Sequence, residues 1–245
     1  MDLMRRRHLF LGAVFVALAA AAWPESRADG AIPASTSAQI VEQMTLRDQA
    51  RHQELKHYHS LRHYLVEYRG FSADLTAKMD VKANYNIESG KSFQIISQSG
   101  SNFLIEKVLK RAIDSEKEAS REKGTTALTS AHYKFKLLGS EMLNTRPAYI
   151  LDVEPLAASK FLFRGKVWVD AADFAVVKME TQPAKSPSFW ISKTLIQCTN
   201  AKTGEFWFPE KLRSETRVRI GGAAVLTIDY GKYEMAANPP PPPSR

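Results

Sequence analysis

From Lys78 to Tyr85 the chain alternates one for one: Met79, Val81, Ala83 and Tyr85 on one phase, Lys78, Asp80, Lys82 and Asn84 on the other. A period of two is the mark of a strand with one buried face. Glu88-Ser89-Gly90-Lys91 reads as a hairpin turn, and Phe93 and Ile95 continue on the return strand. The alternation resumes at Tyr133, Phe135 and Leu137, and after a turn around Asn144 to Pro147 at Tyr149, Leu151 and Val153. It continues through Phe161, Phe163, Val167 and Val169, then Val177 and Met179, Trp190 to Thr199, Leu212 to Ile220, and Leu226, Ile228 and Tyr230 beyond Gly221-Gly222. Turns recur at short intervals and no helical pattern separates these later strands. They predict an antiparallel up-and-down sheet.

Two stretches keep a helical period instead. Thr36 and Gln39 form a capping box, and Ile40, Val41, Met44, Leu55 and Tyr58 recur at helical spacing, predicting a first helix to about Tyr58 or His59. Ser99 to Asn102 caps a second helix over about 103–123. Leu104, Ile105, Val108 and Leu109, with Ala112 and Ile113, make a stripe on one face. From Asp114 onward this helix is polar all round, so its C-terminal half is expected to stand in solvent, and Gly124 suits the residue that ends it.

About ten strands with one apolar face and only two helices pose a covering problem. A flat sheet would leave apolar surface in water. The expected architecture is therefore mainly β (α+β): a curved antiparallel half-barrel with two helices across its opening. The inward positions are bulky: Phe93, Ile95, Phe135, Leu137, Leu151, Phe161, Phe163, Val167 and Ile228. They either line a hollow interior or fill a packed core. In the first case Leu104, Ile105, Val108 and Leu109 form the underside of a lid.

The ends of the chain add a compartment. Arg5, Arg6 and Arg7 precede an apolar run from Leu9 to Trp23, and Ser26-Arg27-Ala28 puts small residues where a signal peptidase reads. Residues 1–28 are expected to be a cleaved export signal, with both the general secretory and the twin-arginine routes open. Residues 29–37 form a lead-in, 38–236 one half-barrel domain, and 237–245 a proline-rich tail. The net charge of +8 becomes +6 on losing four basic (Arg5, Arg6, Arg7, Arg27) and two acidic (Asp2, Glu25) residues. One cysteine, Cys198, excludes an internal disulfide and a thiolate metal cage, and its place in an apolar strand predicts burial.

The segment Gly165 to Glu180, with Trp168-Val169-Asp170, a short turn and a strand of alternating residues, resembles the LolA/LolB-type family in its outer-membrane lipoprotein-sorting branch. Pro155, Ser186-Pro187-Ser188-Phe189-Trp190 and Phe206-Trp207-Phe208-Pro209 resemble the same branch. The resemblance implies a periplasmic carrier whose unclosed barrel holds acyl chains of lipoproteins or lipids. Inner- and outer-membrane sorting proteins would be its partners, and there would be no cofactor. It also admits a sensor or partner-binding module of the RseB/MucB kind.

Other chemistry is sparse. His52, His57, His59 and His63 crowd one stretch; a continuous helix would align three of them for a metal, but a strand from about Leu61 would break that alignment, so no metal is expected. No zinc-hydrolase histidine pattern, nucleophile elbow or phosphate loop is present, and Arg146, Asp152, Asp170 and Asp173 fit turn and strand-end roles, so no enzyme is expected. Lys78, Lys82, Lys134, Lys136, Lys160, Arg164, Lys166, Arg213, Arg217 and Arg219 occupy polar phases, suited to an ordinary solvated face or to an anionic membrane surface. Nucleic acid is not expected of an exported chain without base-stacking motifs.

Overall fold

The computed structural model describes residues 35–70, 73–121, 127–159, 161–186, 191–219 and 221–235. The expected export signal, the proline-rich tail, Gly124, Lys160, Trp190 and Ile220 lie outside them. Helix α1 is Ser37–Glu54, opened by the capping box: Thr36 accepts from the Gln39 amide while the Gln39 side chain accepts from the Thr36 amide. Strands β1 (His57–Arg69), β2 (Asp74–Asn86) and β3 (Gly90–Gly100) follow as a meander. Next come a helical turn α2 (Asn102–Leu104), a π-helical turn (Ile105–Leu109) and helix α3 (Lys110–Arg121). The remaining strands are β4 (Tyr133–Leu143), β5 (Arg146–Pro155), β6 (Phe163–Asp170), β7 (Val176–Pro183), β8 (Ile191–Thr203), β9 (Phe206–Val218) and β10 (Ala223–Tyr230).

All ten strands form one antiparallel sheet in the order β3-β2-β1-β10-β9-β8-β7-β6-β5-β4. The β1–β10 pair joins the two meanders, and β3 and β4 are the edges of an open sheet. The register lays continuous rows across it. Leu137, Leu151, Val167, Met179, Cys198, Leu212, Ile228, Tyr64 and Met79 are successive partners. The next row runs Phe135, Val153, Gly165, Thr181, Ile196, Ser214, Leu226, Val66 and Ala77. Gly165 has φ 135°, and a Cβ there would strike the Glu180 carbonyl, so only glycine suits this point of the row.

The core is split in two. Ile40, Val41 and Met44 of α1 pack on Tyr149, Leu151, Val153, Val167 and Val169, so the first helix covers the β4–β6 end although it precedes β1. Leu104, Ile105, Leu109 and Ile113 pack on Tyr64, Val66, Met79, Val81 and Ile228 at the other end. The wide π-turn keeps Ile105, Leu109 and Ile113 on the sheet side, with Val108 half-buried beside them.

Three expectations change, and the acids interspersed on the basic face are found paired with it. The first helix ends at Glu54, and β1 begins at His57, before Leu61. Pairing with β2 buries Tyr58, Ser60, Arg62 and Tyr64 with period two, which outweighs the local helical spacing. Phe161 is not a strand residue: it sits in the turn, its amide donating to Ser159 Oγ, while Leu162 enters the core and the strand starts at Phe163. The C-terminal half of the second helix does not simply stand in solvent, because Glu116 docks it to the sheet. Finally, the basic strand face is interleaved with acids: Arg213 pairs with Glu215, Lys211 with Asp229, Lys178 with Glu180 and Arg164 with Glu154.

Candidate functional site

Between its two helical covers the sheet changes character. Under α1 and under the α2–α3 segment the central inward residues are fully buried, Leu151, Val167 and Val66 being 0% exposed, with half-buried residues such as Phe135 and Phe93 around them. On β8, β9 and β10 the inward residues Ile196, Cys198, Leu212, Ser214, Thr216 and Leu226 are only half-buried. Neither helix-covered core includes a β8 residue, and only Leu212 of β9 borders one. These half-buried inward residues form an apolar floor between the two helix-covered ends, into one of which Ile228 of β10 is packed. Cys198 lies on this floor opposite Leu212 and Met179, and burial pushes its thiol up to about 11, which keeps it protonated and unreactive near neutrality.

One end of the floor is charged. Arg62, next to Tyr64 on the inward phase of β1, is 2% exposed. Its Nη1 donates to Glu116 Oε2 at 2.7 Å, and Lys91 Nζ donates to Glu116 Oε1 at 2.8 Å. The guanidinium lies 5.3 Å from the Phe93 ring centroid and 4.9 Å from that of Tyr230, its register partner. Burial opposes the charge on Arg62, but the Glu116 carboxylate more than compensates, and its pKa is raised. Burial likewise pushes Glu116 up, yet Lys91 and Arg62 bring it below the usual carboxylate value. Arg62 Nε and the hydroxyls of Ser60, Tyr64 and Tyr233 are buried without a well-formed hydrogen bond. A 560 Å³ cleft bordered by Lys91, Phe93, Lys117 and Ser120 adjoins this cluster. A second cleft of 520 Å³ runs beside α1, between Val41 and Leu46 on one side and Tyr133 and Phe135 on the other.

The motif segments meet elsewhere, at a corner. Asp170, 1% exposed, accepts from Arg146 Nε and Nη2 and from the amides of Ala172 and Asp173, tying the β6–β7 turn. Asp173 accepts from Arg146, Lys202 and Trp207 Nε1, while its carbonyl receives Arg51 of α1. Burial pushes both aspartates up, but these donors bring each below its ordinary value. Trp168 points to the opposite face from Val167 and Val169, where it donates to Glu141 and lies 4.3 Å beneath Lys178. Asp152 takes no part in the corner and is paired in register with Lys166 and Lys136. The Asp170 and Asp173 carboxylates are committed to fastening the turn and the neighbouring strands.

The residues expected to line an interior fall on both sides of this floor. Leu151 and Val167 are wholly buried beneath α1, with Phe135, Leu137 and Phe163 packed half-buried around them. Ile228 and Phe93 belong to the other end, and Ile95 is 40% exposed on the edge strand β3. His59 and His63 point outward to Glu234 and Asp80, and His52 lies on α1. Among the described residues no three His, Cys, Asp or Glu side chains converge for a metal, and no helix is long and apolar enough to cross a membrane. The residues missed by sequence reasoning are Arg62, Glu116 and the β8–β9 floor. An arginine on the apolar phase of a strand is the one signal in the chain that pointed to the first.

No family model and no curated protein matches the chain. Among solved structures it is similar to a LolA superfamily protein from Nitrosomonas europaea, with 13% identity, a TM-score of 0.36, and coverage of 84% of this chain and 96% of that one. It is similar to an outer membrane lipoprotein-sorting protein domain from Vibrio parahaemolyticus, with 13% identity, a TM-score of 0.41 and coverage of 82% and 94%. A DUF1329 family protein from Desulfovibrio piger gives 11% identity, a TM-score of 0.42 and coverage of 82% and 93%. What it does has to be argued from its own residues.

Proposed function

We propose that the chain is an exported, periplasmic, non-enzymatic carrier that holds acyl chains of lipids or lipoproteins on its inward sheet face. The observation that carries this reading is the half-buried floor of Ile196, Cys198, Leu212 and Leu226 between two covered ends. An apolar surface bounded by packed helices is suited to a chain that is itself apolar and flexible. Of the residues expected to line the interior, the half-buried Phe93, Phe135, Leu137 and Phe163 stand at the two covered ends, where Leu151, Val167, Ile228, Leu104, Ile105 and Leu109 are already packed, with Val108 half-buried beside them. A sixteen-carbon chain gains roughly 12 kcal/mol at about 0.8 kcal/mol per methylene. Association and ordering cost at least about 4 kcal/mol, which leaves roughly micromolar affinity, weak enough to hand the cargo on.

The test is native mass spectrometry of protein purified without detergent, with titration of an acylated fluorophore. Co-purified lipid or saturable binding at tens of micromolar supports the carrier; neither overturns it. A partner-binding module is the second reading, favoured by the two edge strands, where Ile95 and Ile96 on β3 and Leu138 and Met142 on β4 are exposed. Failure of the acyl tests would move the assignment there.

A further inference from the structure

Two buried or half-buried cations, Arg62 and Lys91, share a single carboxylate, Glu116. Among the described residues neither is bridged to a second carboxylate, so the cluster as described carries one more positive than negative charge. Burying an unbalanced charge is costly unless something of opposite sign joins it. Around Arg62, its own Nε and the hydroxyls of Ser60, Tyr64 and Tyr233 are buried without a well-formed hydrogen bond, Tyr64 facing Arg62 and Tyr233 facing Ser60. Their parent residues are between 1% and 7% exposed, and all four can donate. A charge deficit and a set of spare donors at one point make an anion site.

Its position says which kind of anion. Arg62 and Tyr230 form the row of the sheet immediately beyond the Tyr64–Ile228–Leu212–Cys198 row, where the apolar floor begins. From there the floor continues through the Leu226–Ser214–Ile196 and Ala224–Thr216–Thr194 rows. Rows two residues apart lie about 6.7 Å from one another, so the floor extends roughly 20 Å from the charged end. The cleft that shares Lys91 and Phe93 with the cluster has Lys117 on its border, which adds positive charge beside the cluster.

We propose that the Arg62 cluster is a head-group site for the monoanionic oxygen head of an amphiphile, such as a fatty acid, whose chain lies along the β8–β10 floor. The inference rests on the acyl-binding reading and narrows it: the cargo carries a negative charge at one end. Arg62 Nε, Tyr64 and Ser60 donate to the head, and Glu116 remains the counter-ion of Lys91.

The experiment compares the purified protein's affinity for palmitate, hexadecanol and acetate. Palmitate should bind at least about tenfold tighter than hexadecanol, the margin of one charged hydrogen bond, and acetate should not bind detectably at millimolar concentration. Tyr64→Phe, which keeps the ring, should reduce the palmitate preference several-fold while leaving hexadecanol affinity unchanged. Arg62→Met should abolish the preference, and Glu116→Gln should increase it by removing a competing anion. Equal binding of palmitate and hexadecanol, or an unaltered preference in Tyr64→Phe, overturns the head-group site and leaves the carrier standing. Binding of neither chain overturns the carrier itself. Acetate binding as tight as palmitate would mean an anion pocket unconnected to the floor, and overturns the proposal.

Discussion

Arg62 on β1 and Glu116 on α3, 54 residues apart in the chain, meet at 2.7 Å beneath the second helical cover. The apolar stripe from Leu104 to Ile113 fastens the beginning of that cover, and this ion pair fastens its far half. The two fastenings differ in kind: one is insensitive to pH, the other is not.

Burial raises the Glu116 pKa, but Lys91 and Arg62 together lower it by more, so the folded value lies below the unfolded one. A group shifted in that direction stabilises the fold above its unfolded pKa, and the contribution is lost as pH falls through the folded value. Amide exchange, corrected for intrinsic rates, should show protection along α3 falling below about pH 4, while Ile105 and Leu109 keep theirs. Glu116→Gln should reproduce the α3 loss at neutral pH, at a cost of about 2 kcal/mol in chemical denaturation.

The corner at Asp170 should behave as structure alone. Asp170→Ala removes four accepted hydrogen bonds from a residue that is 1% exposed and leaves Arg146 without its bidentate partner. A loss of about 3 kcal/mol in urea unfolding is expected. Acyl-chain affinity of the remaining folded protein should be unchanged, and an affinity change larger than the stability change would give the corner a functional role.

Ile196→Asp places a carboxylate on the floor, and should reduce acyl binding at least tenfold through the cost of burying it. Lys193→Asp, on the exposed phase of the same strand, should bind as the unaltered protein does. Fluorophore titration with matched thermal melts checks both. If the two variants bind alike, the chain does not lie on β8.

Cys198 offers an independent view of the same surface. With its thiol held up at about 11, alkylation at pH 8 should be slow and should accelerate as the pH approaches 11. A bound chain should slow it further in proportion to occupancy, read as intact mass after timed maleimide exposure. Unaltered labelling at saturating ligand would place the chain elsewhere.

Export predicts a new N-terminus. The Arg5–Arg7 cluster, the apolar run and Ser26-Arg27-Ala28 put cleavage after Ala28, so periplasmic protein should have the intact mass of a chain starting at Asp29. A full-length mass recovered from membranes would contradict it.

Periodicity made most of the sheet legible, because one wet and one dry face force alternation wherever a strand is half-covered. Met79 to Tyr85, Tyr133 to Leu137 and Leu226 to Tyr230 announced themselves in this way, and the stripe from Leu104 to Ile113 announced a helix that packs. Alternation is a local property, however, and it says nothing of which strand pairs with which. The β1–β10 pair brings Arg62 beside Tyr230 from opposite ends of the chain, and the β3–β4 connection then lowers Glu116 onto it. Read locally, Glu116 was one more charge on a polar helix and Arg62 an interruption in an apolar phase. The floor was hidden for a related reason: Ile196 has the same residue type as buried core, and among the described residues neither helix-covered core includes it, so it is half-exposed. Residue type and spacing determine what a strand prefers to bury, whereas the long-range path of the chain decides what is available to cover it.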